Sequence, residues 1–223
     1  MAIGILPADR MTIAQAPGPG NLAVLFGSTT GRDGIGGASV LASATFGEDD
    51  PSKRPSVQVG DPFAEKLLIE ASLELIERGL VEGIQDLGAA GITCATSESA
   101  DRSGTGILVD LDAIPRREPG MEPFEVMISE SQERMLACVE PARLADLEAL
   151  CERWELECSV IGEVVEGDHL ICTFGDEVVG DIPVSALVDD CPRYELVPVR
   201  PERLRDDPIA VADLPPAPDA TDA

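Results

Sequence analysis

The sequence predicts an α+β fold, an α/β sandwich built on one mixed sheet flanked by helices. Three observations lead there. Short apolar runs bounded by glycine alternate with amphipathic stretches through the first two thirds of the chain, the pattern of strands covered by helices. The last third reads as strands in quick succession, joined by Gly-Asp turn signals. A chain of 223 residues, 44% of them hydrophobic, is also long enough to bury a substantial core.

Taken in order, residues 1–20 end in the turn-dense Ala16-Pro17-Gly18-Pro19-Gly20 and read as a lead-in. Leu22–Phe26 is a continuous apolar run between glycines, as in a buried strand, and a glycine-rich loop follows it at once. Asp61-Pro62 places an N-cap residue before a proline at the first helical position, and Phe63, Leu67, Leu68, Ala71 and Leu75 then recur at helical spacing up to Gly79. Gly83–Leu87 reads as a brief strand, after which Gly88-Ala89-Ala90-Gly91 suits close backbone packing or the start of a helix. Ile107–Leu111 and Arg134–Val139 read as strands, with a short helical pattern over Pro123–Ile128 between them. Pro141–Trp154 is an amphipathic helix with Leu144, Leu147, Leu150 and Cys151 on one stripe. Cys158–Val165, His169–Phe174 and Glu177–Ile182 suggest a meander. The folded domain is expected over residues 21–198, and the proline-, acid- and alanine-rich 199–223 as a disordered tail.

Charge narrows the function. Sixteen Lys+Arg against 42 Asp+Glu give a formal net charge of −26, a field that repels nucleic acid and anionic membrane. Lysine occurs only at Lys53 and Lys66. Mean hydropathy is +0.07, and no apolar run approaches the roughly 20 residues of a membrane span. The first residues show neither a basic n-region nor an apolar h-region, so a cytoplasmic location is expected. The six cysteines, Cys94, Cys138, Cys151, Cys158, Cys172 and Cys191, form no C-x-x-C pair, and His169 is the single histidine. That argues against a zinc site and for reduced core thiols.

Four segments can carry chemistry. In Gly27–Ser39 the glycines let backbone N–H groups approach an anion, and Arg32 suits a bidentate phosphate contact; Gly31, Arg32, Asp33 and Gly34 are the candidate residues, against a loop that only packs. Gln58, in Arg54–Phe63, offers amide donors and an acceptor, or is a solvated loop residue. Asp86 is a lone carboxylate among small residues, fit to be a magnesium ligand or the N-cap of a following helix. The polar run Ser129–Met135, with Glu130, Ser131 and Gln132, lines a strand end or caps a helix. His169 sits in a turn beside acids and receives no catalytic role, and no histidine lies near Cys94 to activate it.

In this order, Thr30–Ser39, Arg54–Phe63, Gln85–Gly91 and Ser129–Met135 resemble the synthetase (large) subunit of phosphoribosylformylglycinamidine synthase, a purine-biosynthetic ligase. The resemblance extends from about Ile3 to Leu196. It implies the C-terminal domain fold of the aminoimidazole ribonucleotide synthetase superfamily, in the second domain of the subunit's first half-unit. The family's ATP-binding domain, with its general-base histidine, ATP-contacting tyrosine and lysine and first magnesium acid, precedes that domain, so no catalytic residue is expected here. Gln58, Glu130, Ser131 and Gln132 match substrate-binding positions, and Asp86 matches a Mg2+ ligand. The implied reaction converts formylglycinamide ribonucleotide (FGAR), ATP and glutamine-derived ammonia to formylglycinamidine ribonucleotide, ADP and phosphate, through phosphorylation of an amide oxygen. A glutaminase subunit and a small bridging subunit are the implied partners, and the domain alone is expected to be inactive. Two alternatives stand: a non-catalytic binding or assembly module, and a related domain from aminoimidazole ribonucleotide or selenophosphate synthetase.

Overall fold

Strand β1 (Leu22–Gly27) sets the layering. Ala23 and Leu25 enter one buried apolar cluster while Val24 and Phe26 enter another, because successive side chains leave opposite faces of a strand. A strand apolar on both faces needs cover on both. One cover is α1 (Pro62–Glu77) and α4 (Leu144–Arg153), which bury Leu68, Ala71, Leu75, Leu147, Leu150 and Cys151. The other is α2 (Gly91–Ser103), α3 (Pro123–Ile128) and α5 (Val184–Val188), through Ile92, Ala95, Val126, Met127 and Val184.

This computed structural model describes residues 6–7, 11–35, 58–190 and 195–199. The chain divides into two compact units, Met1–Cys191 and Pro192–Ala223. In the second, residues 195–199 carry neither helix nor strand. Several expectations fall outside the described residues: most of the first ten residues, Gly36–Ser39 of the glycine-rich loop, Arg54–Val57, Cys191 and the tail from 200 on.

The remaining strands are β2 (Gly83–Asp86), β3 (Gly106–Asp110), β4 (Arg134–Val139), β5 (Glu157–Val165), β6 (His169–Phe174) and β7 (Glu177–Pro183). They form one seven-stranded sheet of order β2–β4–β1–β5–β3–β6–β7, antiparallel throughout except for β3 beside β6. The expected mixed sheet is there, but the meander is not. β3 lies between β5 and β6, so only β6 and β7 form a hairpin; turn residues predict a local reversal and not which strands pair. Pro141–Arg143 forms a 3-10 turn, and α4 begins only at Leu144. Phe63 leaves the predicted stripe of α1 and is 71% exposed.

Register brings three chain ends to one edge. Gly27 at the end of β1 pairs with Arg134 at the start of β4, and Asp86 at the end of β2 pairs with Met135. The loops after β1 and β2 and before β4 therefore meet, with the N-termini of α1 and α2 beside them. Among the described residues, no helix is long and apolar enough to cross a membrane.

Candidate functional site

At this edge the loop of residues 28–35 and the loop of residues 129–133 are laced together. The Gly31 N–H donates to Ser131 Oγ at 2.9 Å, Ser129 Oγ donates to the Gly31 carbonyl at 2.6 Å, and the Glu130 N–H donates to the Asp33 carbonyl at 2.7 Å. Ser131 also donates to Asp33 Oδ2, the same oxygen that Arg117 pairs with.

Arg134 fastens the two loops from beneath. Its guanidinium is 3% exposed and donates to the carbonyls of Ser131 (2.9 Å) and Ser129 (2.6 Å) and to Thr30 Oγ1 (2.8 Å). It forms no ion pair within 4.0 Å among the described residues. Burial pushes its pKa down to about 10, while the nearby Asp33 charge pushes it back up. It stays a cation at neutral pH.

Glu130 is the second buried charge, 6% exposed, and it too is met by neutral donors. The Ala90 N–H reaches Oε1 at 3.1 Å and Gln58 Nε2 reaches Oε2 at 2.5 Å. Ala90 is the N-cap residue of α2, whose positive end favours a carboxylate there. Two glycines make room for the arrangement. At Gly91 (φ +52°) a Cβ would stand 1.9 Å from the Ser129 carbonyl oxygen, and at Gly34 (φ +64°) one would stand 2.6 Å from Glu130 Cβ.

The structure thus brings Gly31, Asp33, Gly34, Gln58, Glu130, Ser131 and Gln132 into one cluster. Gln58 is exposed and Gln132 half-buried, and Gln132 Nε2 donates to the Glu130 carbonyl at 2.8 Å. Ser131 is 1% exposed, with its hydroxyl spent on the loop. Arg32 turns to a different set of partners, Glu125 at 2.8 Å, Glu118 at 3.2 Å and the Gly120 carbonyl at 2.6 Å. Its hydrogen bond holds the Glu125 carboxyl below the usual carboxylate range.

Asp86 is exposed at the end of β2 and does not cap α2, whose N-cap Ala90 makes no side-chain cap bond. That alternative reading of Asp86 is corrected: three residues separate it from the cap position. It lines a groove of about 360 Å3 with Leu68, Ile69, Leu73, Leu87, Gln132 and Met135. Among the described residues no three His, Cys, Asp or Glu side chains group to hold a metal ion. A single exposed carboxylate nonetheless suits Mg2+, which keeps waters and shares its ligands with phosphate oxygens.

Arg134, Ser129 and Ala90 lie within the segments read from the sequence but received no role of their own there, and Arg117 lies outside all of them. A cation opening an apolar strand was the available signal for Arg134. For Arg117 there was none.

The fold agrees with the family comparison, in which AIR synthase related protein, C-terminal domain, matches residues 18–175. The chain belongs to that family. Among relatives, it is 49% identical over 95% of its length to phosphoribosylformylglycinamidine synthase subunit PurL of Thermobifida fusca and 50% identical, again over 95%, to PurL of Caulobacter vibrioides. It spans 29% of the length of each. Among solved structures, Thermotoga maritima PurL complexed with FGAR aligns at 42% identity and a TM-score of 0.79, covering 87% of this chain and 32% of that one. T. maritima PurL complexed with ATP and the T. maritima PurLQS structure both align at a TM-score of 0.74.

Proposed function

We propose that this chain supplies the FGAR side of a PurL-type amidoligase site, acting in ATP-dependent conversion of FGAR to formylglycinamidine ribonucleotide with glutamine-derived ammonia. One observation carries the reading: Gln58 meets the consecutive Glu130, Ser131 and Gln132, a run that begins 72 residues further on, in one loop cluster of a chain that aligns with the FGAR complex of T. maritima PurL.

The chemistry asks for a held substrate amide whose oxygen is phosphorylated and whose carbon then receives ammonia. Holding it takes neutral polar groups on a rigid frame. The exposed amide of Gln58 and the half-buried amide of Gln132 are such groups, and Glu130 and Ser131 contribute by fixing the loop that carries them. The Gly31–Gly34 backbone forms the facing wall of the same cluster, with Arg32 and its acids bracing its outer side. Asp86 is the residue that would hold Mg2+, an ion that neutralises phosphate charge when bound. His169, the single histidine, lies on β6, three strands along the sheet from β1, and has no part in the cluster. ATP binding, and partners of the kind present in PurLQS, follow from the same relationship, and a cytoplasmic setting fits a soluble nucleotide substrate.

Calorimetric titration of the 223-residue chain with FGAR, with and without Mg-ATP, tests the reading. Saturable binding that Gln58→Ala abolishes supports it. Binding unaffected by that change, or no binding by folded protein, leaves the assembly-module alternative in its place.

A further inference from the structure

The two ligand-facing glutamines share an anchoring pattern. Gln58 Nε2 donates to Glu130 Oε2 at 2.5 Å, and Gln132 Nε2 donates to the Glu130 carbonyl at 2.8 Å. The Glu130 carboxylate oxygen and backbone carbonyl are the acceptors in these bonds, so each amide turns its NH2 inward. Both side-chain oxygens are then left without a donor among the described residues. Gln58 is closely confined in this orientation. Glu130 is 6% exposed, its other oxygen is taken by the Ala90 N–H at 3.1 Å, and Gly34 lies so close that a Cβ there would stand 2.7 Å from Glu130 Oε2 and 2.9 Å from Gln58 Nε2.

We infer that Glu130 is a positioning residue whose carboxylate fixes the Gln58 amide oxygen-outward, beside a Gln132 amide held the same way by the residue-130 backbone carbonyl, so that this part of the site recognises hydrogen-bond donors, the N–H and O–H groups of its ligand. The inference rests on the proposed FGAR site and specifies its chemistry. FGAR offers such donors in its amide N–H and ribose hydroxyls, while its phosphate must be met by other groups. The Glu130 carboxylate, 6% exposed and taken up by Gln58 and the Ala90 N–H, acts through Gln58.

A charge-preserving exchange within the Gln58–Glu130 pair tests this. Glu130→Gln lets residue 130 donate or accept and frees Gln58 to flip; Gln58→Glu sets two carboxylates in contact. Each single change should weaken FGAR binding about tenfold or more, the worth of one well-made hydrogen bond. The double variant Gln58→Glu/Glu130→Gln restores an amide donating to a carboxylate, with a carboxylate oxygen facing outward, and should bind within about threefold of wild type. A double variant no better than the poorer single, with a native circular-dichroism spectrum, overturns the inference.

A ligand-free arm separates this inference from the reading beneath it. In wild-type protein the Gln58 side-chain NH2 should exchange slowly with solvent by NMR, and Glu130→Ala should abolish that protection. Fast exchange in wild type refutes the anchoring. If wild type protects this group yet binds no FGAR, the anchoring stands and the functional proposal falls.

Discussion

Replacing Arg134 with methionine should cost the fold heavily, because it strips three hydrogen bonds from the two loops at once. The guanidinium donates three hydrogen bonds, two of them to backbone carbonyls, at 2.6 to 2.9 Å and 3% exposure. A hydrogen bond to a charged group contributes about 1.5–3 kcal/mol, and a buried acceptor left bare costs about 1–3 kcal/mol. Removing the cation also ends its own desolvation penalty, which burial imposes strongly enough to push its pKa down to about 10. Three buried acceptors left bare, less that relief, put the loss at about 3–5 kcal/mol. At about 2–4 °C per kcal/mol for a domain of this size, the melting temperature should fall by about 10 °C. Circular-dichroism melts and urea titrations of Arg134→Met measure this directly. Arg134→Lys, which keeps the charge but not the planar fork, should fall between wild type and methionine. A loss below about 1 kcal/mol for Arg134→Met would show that the two loops hold without the guanidinium.

Three further outcomes follow. Gly91→Ala forces a Cβ to within 1.9 Å of the Ser129 carbonyl at a positive φ, and should lower stability by more than about 3 kcal/mol in urea titrations. His169, the single histidine, is held above its ordinary pKa chiefly by its hydrogen bond to Asp181 at 2.5 Å, so its NMR titration midpoint should drop in Asp181→Asn. The charged pair favours the folded state fully below the ordinary histidine value of about 6.5, and that small contribution is lost as pH rises through the raised value. Among the five described cysteines, Cys158 should alkylate first, because the Cys151 thiol bonds to it and lowers its pKa. Burial pushes Cys94, Cys138 and Cys172 up to about 11, and the bond to Cys158 together with burial pushes Cys151 up, so peptide mapping should find these four labelled last.

What the sequence made legible follows from how local each cause is. β1 and β4 announce themselves as short apolar runs, because a central strand is buried on both faces. α1 is marked by Asp61, whose side chain accepts from the Phe63 and Ala64 N–H groups, and by the proline after it. α2 carries no such marks. Its sequence is polar, and buried Thr96 and Ser97 satisfy their hydroxyls on carbonyls one turn back, Ile92 and Thr93, so no apolar stripe shows. Strand order was hidden too, since β3 enters between β5 and β6 from more than 40 residues upstream. At the site, the residue types in Gln58, Glu130, Ser131 and Gln132 pointed to polar recognition. Their division into buried anchors and outward amides depends on contacts across 72 residues, and a linear reading holds no trace of those.

Chemical-shift mapping of isotope-labelled protein during FGAR titration puts the proposed half-site to its most direct trial. The shifts should concentrate on Gly31–Gly34, Gln58, Ala90 and Glu130–Gln132, and leave the remote edge strand, with its exposed Val178, unmoved. Shifts centred anywhere else, or a spectrum unchanged at saturating FGAR, would contradict a substrate site on this edge of the sheet.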